Sequence, residues 1–181
     1  MSARSLGYLI ALLGLLFDQA FKLWMLYGYD IETVMLSKGA VSLTPFLDLV
    51  LVWNRGISYG LFQQHSELGR YILTGVAAAA SLGLIIWIRR IENRLLAAAL
   101  GLILSGAVGN GIDRILHGAV VDLLHFHIES QWLNFSWYVF NLADCWIVFG
   151  AILLFYDSFF GPTNTKPPAE SPSGPKDAAK P

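Results

Sequence analysis

Residues Leu95–Asp122 read LLAAALGLILSGAVGNGIDRILHGAVVD. From Leu95 to Val108 nothing is ionisable, and Ala, Leu, Ile and Gly follow one another in the manner of a helix surrounded by lipid. Asn110, Asp113 and Arg114 then arrive before the apolar run is finished, and Asp122 stands just beyond it. Charge in hydrocarbon costs several kcal/mol per group unless it is paired or faces a polar cavity, so polar residues at such a place point to function.

The rest of the chain agrees with a membrane setting. Its 181 residues allow one domain, and a composition 55% hydrophobic and 14% charged is too apolar for an ordinary soluble one. The formal net charge of −1 gives no electrostatic case for nucleic acid. The single cysteine, Cys145, excludes an intramolecular disulfide and reads as a small packing residue. The N-terminal run resembles a signal peptide, but it lacks a small-x-small cleavage site and continues through Asp18 and Lys22, so it is expected to stay attached.

Four segments approach the ~20 apolar residues that cross a bilayer: about Leu6–Tyr27, Leu68–Ile88, Leu95–Leu116 and Trp137–Tyr156. All four are expected to be helices, because a helix satisfies its own backbone in lipid. Arg4, the cluster Arg89, Arg90 and Arg94, and the lysines of the tail put both termini in the cytoplasm by the positive-inside rule. The connections 28–67 and 117–136 then face outward. Within the first, VSLTPFLDLVLVWNRG combines β-branched and aromatic residues with Pro45 and a closing Gly56, which predicts short strands at the membrane surface. Small residues recur at four-residue steps in Gly75, Ala79 and Gly83, and again in Gly101, Ser105 and Gly109, as expected of helices that approach closely. Trp132, Trp137 and Tyr138 suit one membrane interface and Trp87 the other. The predicted organisation is a membrane domain over 1–160 and a disordered Pro-rich tail over 161–181, which holds six of the seven prolines.

With that orientation every intramembrane charge lies at one depth, near the outer face. Asp18 and Lys22 share a helical face and can pair. Asn110, Asp113 and Arg114 end the third segment, Asn141 and Asp144 enter the fourth, and Asn54 can fold onto the same level. Lys22 and Arg114 have a plain alternative in snorkelling to head groups, Asp113 in an ion pair with Arg114, and Asn54 with Gly56 in a turn. Asp144 has no basic neighbour in sequence to pair with. His125 and His127 share one strand face and, with Asp122, suggest a metal site only weakly; interfacial histidines are the plainer reading, and no metal or other cofactor is expected. No phosphate loop, GxSxG elbow or Ser/Lys pair is present.

Asp122 and Asp144, if they meet, should share one proton. The ionised carboxylate can then activate a water against a peptide carbonyl while the protonated one hydrogen-bonds the oxyanion and supplies the leaving amine. A proton-coupled transporter or channel with Asp144 as relay is the competing reading, and a non-catalytic lipid or signal-peptide binder is a third. A relay needs groups at several depths, whereas the inner halves of these segments are bare.

DQAFK at Asp18–Lys22, NRGISYGLF from Asn54, GNGIDR from Gly109, GAVVD from Gly118 and FNLAD from Phe140 together closely resemble the bacterial lipoprotein signal peptidases, the signal peptidase II family of membrane aspartic proteases. The resemblance spans about Leu12–Tyr156. It implies Asp122 and Asp144 as the catalytic pair, with Asp18, Lys22, Asn54, Gly56, Gly106, Asn110, Asp113, Arg114, Val120, Asn141 and Ala143 as supporting or substrate-binding positions. It also implies four membrane helices with a small extramembrane β-sheet cradle and a diacylglyceryl-modified prolipoprotein as substrate, cut before its lipidated cysteine; a monomer in membrane lipid is expected. Ile57, Ser58 and Tyr59 depart from the family's small-small-aromatic pattern, and Leu123 and Tyr138 from its frequent Phe and Pro.

Overall fold

A computed structural model describes residues 1–56 and 67–160. The departures at Ile57, Ser58 and Tyr59 and the 161–181 tail lie outside the described residues. The elements in chain order are α1 (Ala3–Leu23), continued by a wider π turn over Trp24–Gly28, then α2 (Ile31–Lys38), β1 (Val41–Thr44), β2 (Leu47–Asn54), α3 (Glu67–Ile88), α4 (Arg94–His117), β3 (Val120–Glu129), β4 (Asn134–Phe140) and α5 (Leu142–Phe160). Among the described residues four helices are long and apolar enough to cross a membrane: α1 with its π turn, α3, α4 and α5. This is the expected class, a mainly helical membrane protein with a small sheet.

The third segment, α4, is the centre of the bundle, packing against α1, α3 and α5. Its small residues make this possible. A Cβ at Gly101 would collide with the Gly7 carbonyl of α1, and one at Gly106 with the Ala143 carbonyl of α5. Ser105 lies against Gly14, and Gly109 against the Asp18 carboxylate. The stripe Gly101, Ser105 and Gly109 is thus the seam with α1. The corresponding glycines of α3 behave otherwise: Gly75 and Gly83 have nothing within 4 Å, so that stripe faces out of the bundle.

Asn93 starts α4 by accepting from the N–H groups of Leu95 and Leu96 at 2.9 and 3.3 Å, and Gly118 ends it at φ 73°, a conformation that costs glycine nothing. The chain leaves directly into β3. The sheet has the order β1-β2-β3-β4, every pair antiparallel. The strands expected between Val41 and Gly56 are β1 and β2. Val121 and Leu123 of β3, both at 0% exposure, pack with Met25, Ile31 and Leu49 beneath α2. A second core, with Ile88, Ala97, Leu100 and Leu104, fills the opposite end of the bundle. The polar residues lie between these two apolar clusters.

One expectation is corrected, and one weak alternative is set aside. The fourth helix does not begin at Trp137: Asn134–Phe140 is strand β4, paired with β3, and α5 starts at Leu142. Apolarity cannot distinguish a strand from a helix over so short a run, and the aromatic and β-branched residues here favour the ladder. Asp144 therefore lies in the first turn of its helix rather than two turns into it. Nor do His125 and His127 join Asp122, because odd and even positions of a strand face opposite ways. Their rings stack with centroids 5.4 Å apart, His127 lies 3.1 Å from Asp48, and His125 meets Ser136 at 2.8 Å.

Candidate active site

Asp122 is the third residue of β3 and Asp144 lies in the first turn of α5; the side chains that connect them are amides. Asn141 Nδ2 donates to Asp122 Oδ1 at 2.6 Å and to Asn110 Oδ1 at 3.1 Å. Asn110 Nδ2 in turn donates to Asp144 Oδ1 at 2.9 Å. Asn54, carried in by β2 opposite Val120, donates from Nδ2 to Asp122 Oδ2 at 3.0 Å, while its own Oδ1 accepts from the Gly56 N–H at 3.1 Å. Each carboxylate is thus held through both oxygens, since Asp144 Oδ2 accepts from the Asn141 backbone N–H at 3.2 Å. The turn proposed for Asn54 and Gly56 exists, and the same side chain also donates to a candidate catalytic carboxylate.

The N-terminus of α5 explains how Asp144 is aimed. Asn141 Oδ1 accepts from the Asp144 N–H at 3.0 Å while Asp144 Oδ2 takes the Asn141 N–H, a reciprocal capping box. This signature, N-L-A-D, is visible in the sequence and marks Leu142 as the first helical residue. It was the available signal that the apolar run from Trp137 is not helix.

Behind the two aspartates is a buried charge cluster. Lys22 Nζ lies 2.9 Å from Asp18 and 2.8 Å from Asp113, with all three side chains nearly inaccessible. Lys22 does not snorkel. Asp113 does not pair with Arg114 either, because successive helical residues point to different faces; Arg114 instead donates to the Asn110 carbonyl at 3.1 Å. Gln19, which the sequence reading did not single out, bridges Asp18 and Asp113 at 3.1 and 3.0 Å.

This cluster grips the backbone beside each candidate catalytic residue. Asp18 Oδ1 accepts from the N–H of Ala143, immediately before Asp144, at 3.0 Å. Asp113 Oδ2 accepts from the N–H of Val121, immediately before Asp122, at 3.1 Å. Val120 is buried at the start of β3, and Gly106 lets the Ala143 carbonyl approach α4. All thirteen predicted positions are thus accounted for at one end of the bundle, with Asp122 and Asp144 joined through Asn141 and Asn110.

Asp122 is 2% exposed, and its carboxyl is pushed up to about 6, first by burial and then by the neighbouring Asp144 charge. The Asn54 and Asn141 amides and the Lys22 charge pull the other way without cancelling this. A carboxyl that holds its proton close to neutrality can act as an acid where an ordinary aspartate cannot.

A bundle with paired aspartates between membrane helices and a surface sheet can be compared with known proteins. A solved chain titled "Bacterial membrane enzyme structure by the in meso method at 2.3 A resolution" superposes with TM-score 0.69 over 89% of this chain and 92% of its own, at 24% identity, which shows the shared fold. The lipoprotein signal peptidase of Nitrobacter hamburgensis is 50% identical over 162 residues, 90% of this chain and 96% of that one. That of Beijerinckia indica subsp. indica is 52% identical over 159 residues, 88% and 90% of the two chains. The family described as Signal peptidase (SPase) II matches residues 10–160, which include every residue named above at the site. With sequence and fold agreeing over that range, the chain belongs to the signal peptidase II family of membrane proteases.

Proposed function

We propose that the protein is an aspartic endopeptidase that removes the signal peptide from diacylglyceryl-modified prolipoproteins, cutting just before the lipidated cysteine, with Asp122 and Asp144 as the catalytic pair. The observation that carries this reading is the amide bridge. Asn141 contacts Asp122 through its side chain and Asp144 through its backbone, while Asn110 links Asn141 to Asp144. Two carboxylates held this way resist ionising together and keep one proton between them. One takes a proton from water as it attacks the scissile carbonyl; the other hydrogen-bonds the developing oxyanion and then protonates the leaving amine. Asn54, Asn110 and Asn141 hold the carboxylates in position, and Lys22 with Asp18 and Asp113 fixes the backbone behind them.

In this reading the polar end of the bundle faces outward and both termini are cytoplasmic, with 1–160 as the catalytic domain and 161–181 as a tail without a core. External protease should then leave the tail intact in sealed spheroplasts; its removal would reverse the orientation. The enzyme acts as a monomer on a substrate that arrives within the lipid. Asp122→Asn and Asp144→Asn should each remain inserted and folded yet lose at least ~10³-fold in cleavage of a defined diacylglyceryl lipopeptide, as expected when a group that carries the proton is removed. Near-complete cleavage by either variant would exclude the pair as the catalytic unit.

A further inference from the structure

On the face of the sheet turned away from Asp122, two histidines of β3 meet one residue from each neighbouring strand. His127 Nε2 lies 3.1 Å from Asp48 Oδ2 of β2, with the two side chains only 17% and 16% exposed. His125 stands opposite Asp48 in the ladder, stacks on His127 and shares a hydrogen bond with Ser136 of β4 at 2.8 Å. Among the described residues no hydrogen bond from another group reaches either ring nitrogen of His127 or Asp48 Oδ1. Withdrawing these polar atoms from water has a cost, and an apolar pair of similar size would stabilise the sheet as well or better. The best-attested use of such a pair is to fix register.

Register is what the pattern of β2 leaves open. Leu49–Trp53 are all apolar, so a slip of one residue would still bury an apolar face, yet it would turn Asn54 to the wrong side of the sheet. The ladder is also interrupted there. Between the pairs Leu49–Leu124 and Val52–Asp122, β2 uses one residue more than β3, a bulge that leaves its extra residue unpaired. Asp48 precedes this bulge and Asn54 follows it. We propose that Asp48 and His127 are positioning residues for the reaction: their contact sets the register of β2 on β3 and so brings the Asn54 amide onto Asp122. The inference rests on the proteolytic reading above and adds which residues hold its parts in register. The backbone N–H of His127 reinforces the contact by donating to the Phe46 carbonyl at 3.0 Å, on the far side of Asp48 from the bulge. His125 backs the His127 ring and ties the group to β4, the strand that runs into Asn141.

The test reads the acid–base behaviour of Asp122, which a purely structural role would leave alone. Cleavage should slow as Asp122 loses its proton at about 6, and the Asn54 amide draws that carboxyl down, so releasing Asn54 moves the falling limb of the pH–rate profile to higher pH. His127→Phe keeps a ring against His125 and removes its nitrogens, and Asp48→Ala breaks the contact from the other strand. With purified protein and a diacylglyceryl lipopeptide in one lipid, each should lower kcat by about 10-fold, leave KM within about 2-fold, and raise the falling limb by about 1 pH unit. Agreement between the two excludes titration of His127 itself as the source, since only Asp48→Ala retains it. Asn54→Ala should move the limb equally, and adding His127→Phe to it should move the limb no further. His127→Gln, whose amide can still donate to Asp48, should recover most of the rate and the wild-type limb. Asp144, Lys22 and Arg114, the charged groups that act on Asp122, are unchanged in all these proteins. Should the truncating variants fail to fold, Asp48→Asn, which weakens the contact and keeps its size, carries the same prediction at smaller amplitude. An unmoved limb in either folded variant, or shifts that add to that of Asn54→Ala, would overturn the proposal and leave the protease assignment standing. A wild type that cleaves no lipopeptide would remove the protease reading, and this role with it.

Discussion

Asp122 is a residue whose ionisation opposes folding and whose proton, in the proposed reaction, serves chemistry. Its folded carboxyl titrates at about 6 against an ordinary 3.8, so between these values the folded protein binds more proton than the unfolded chain. Stability therefore falls as pH rises from about 4 to about 6, by an amount on the order of 3 kcal/mol once the titration is complete. Wild type should lose melting temperature across that window in a fixed lipid, and Asp122→Asn should lose distinctly less. Parallel melting curves for the two proteins between pH 4 and pH 7 would contradict the assignment. The rate of lipopeptide cleavage should decline above about 6 for the same reason, as Asp122 gives up its proton. Several side chains around Asp122 have paired roles that residue type alone did not reveal: Asp144 is both a helix cap and a candidate catalyst, and Asn54 both closes a turn and holds a carboxylate.

Elements meet here where side chains are missing. At Gly101 the α1 backbone is so close that a methyl group would overlap the Gly7 carbonyl, whereas Gly75 on α3 has open space around it. Both glycines belong to identical-looking four-residue stripes. Gly101→Ala should destabilise the bundle by about 1–3 kcal/mol through overpacking, while Gly75→Ala should be neutral or stabilise by up to ~1 kcal/mol through helix propensity. Thermal denaturation of the two variants in the same membrane mimic measures the contrast; equal effects would mean that the seam is not where the geometry puts it. The stripe pattern marks a surface that permits close approach, and only packing shows whether a neighbour uses it. The same limit applied to Trp137–Phe140, where the apolar run was compatible with helix and strand until β3 offered a partner.

For the molecule as a whole, Lys22 is the point where α1, α4, β3 and α5 are joined. It neutralises Asp18 and Asp113, and each of these holds the backbone N–H that precedes a candidate catalytic aspartate. Lys22→Met would leave two buried carboxylates without their cation, and breaking a buried ion pair from one side costs about 3–5 kcal/mol. The variant should melt well below wild type and cleave substrate poorly even below its melting temperature; a wild-type melting curve would show that the cluster is not structural. By itself the sequence determined the four membrane helices, the strands between Val41 and Gly56 and the gathering of polar groups at one end, and it marked Asp122 and Asp144 as the candidate pair. These follow from local patterns: apolar length, the alternation of β-branched residues, and motifs whose residue types are costly in lipid. Tertiary structure decided which partner each group takes. Lys22 reaches Asp113 across helices, Gln19 bridges two acids, the histidines turn from Asp122 to Asp48 and Ser136, and β4 replaces the first turns of the fourth helix. Each is a contact between segments distant in the chain, and its energy depends on distance and burial that residue order does not contain.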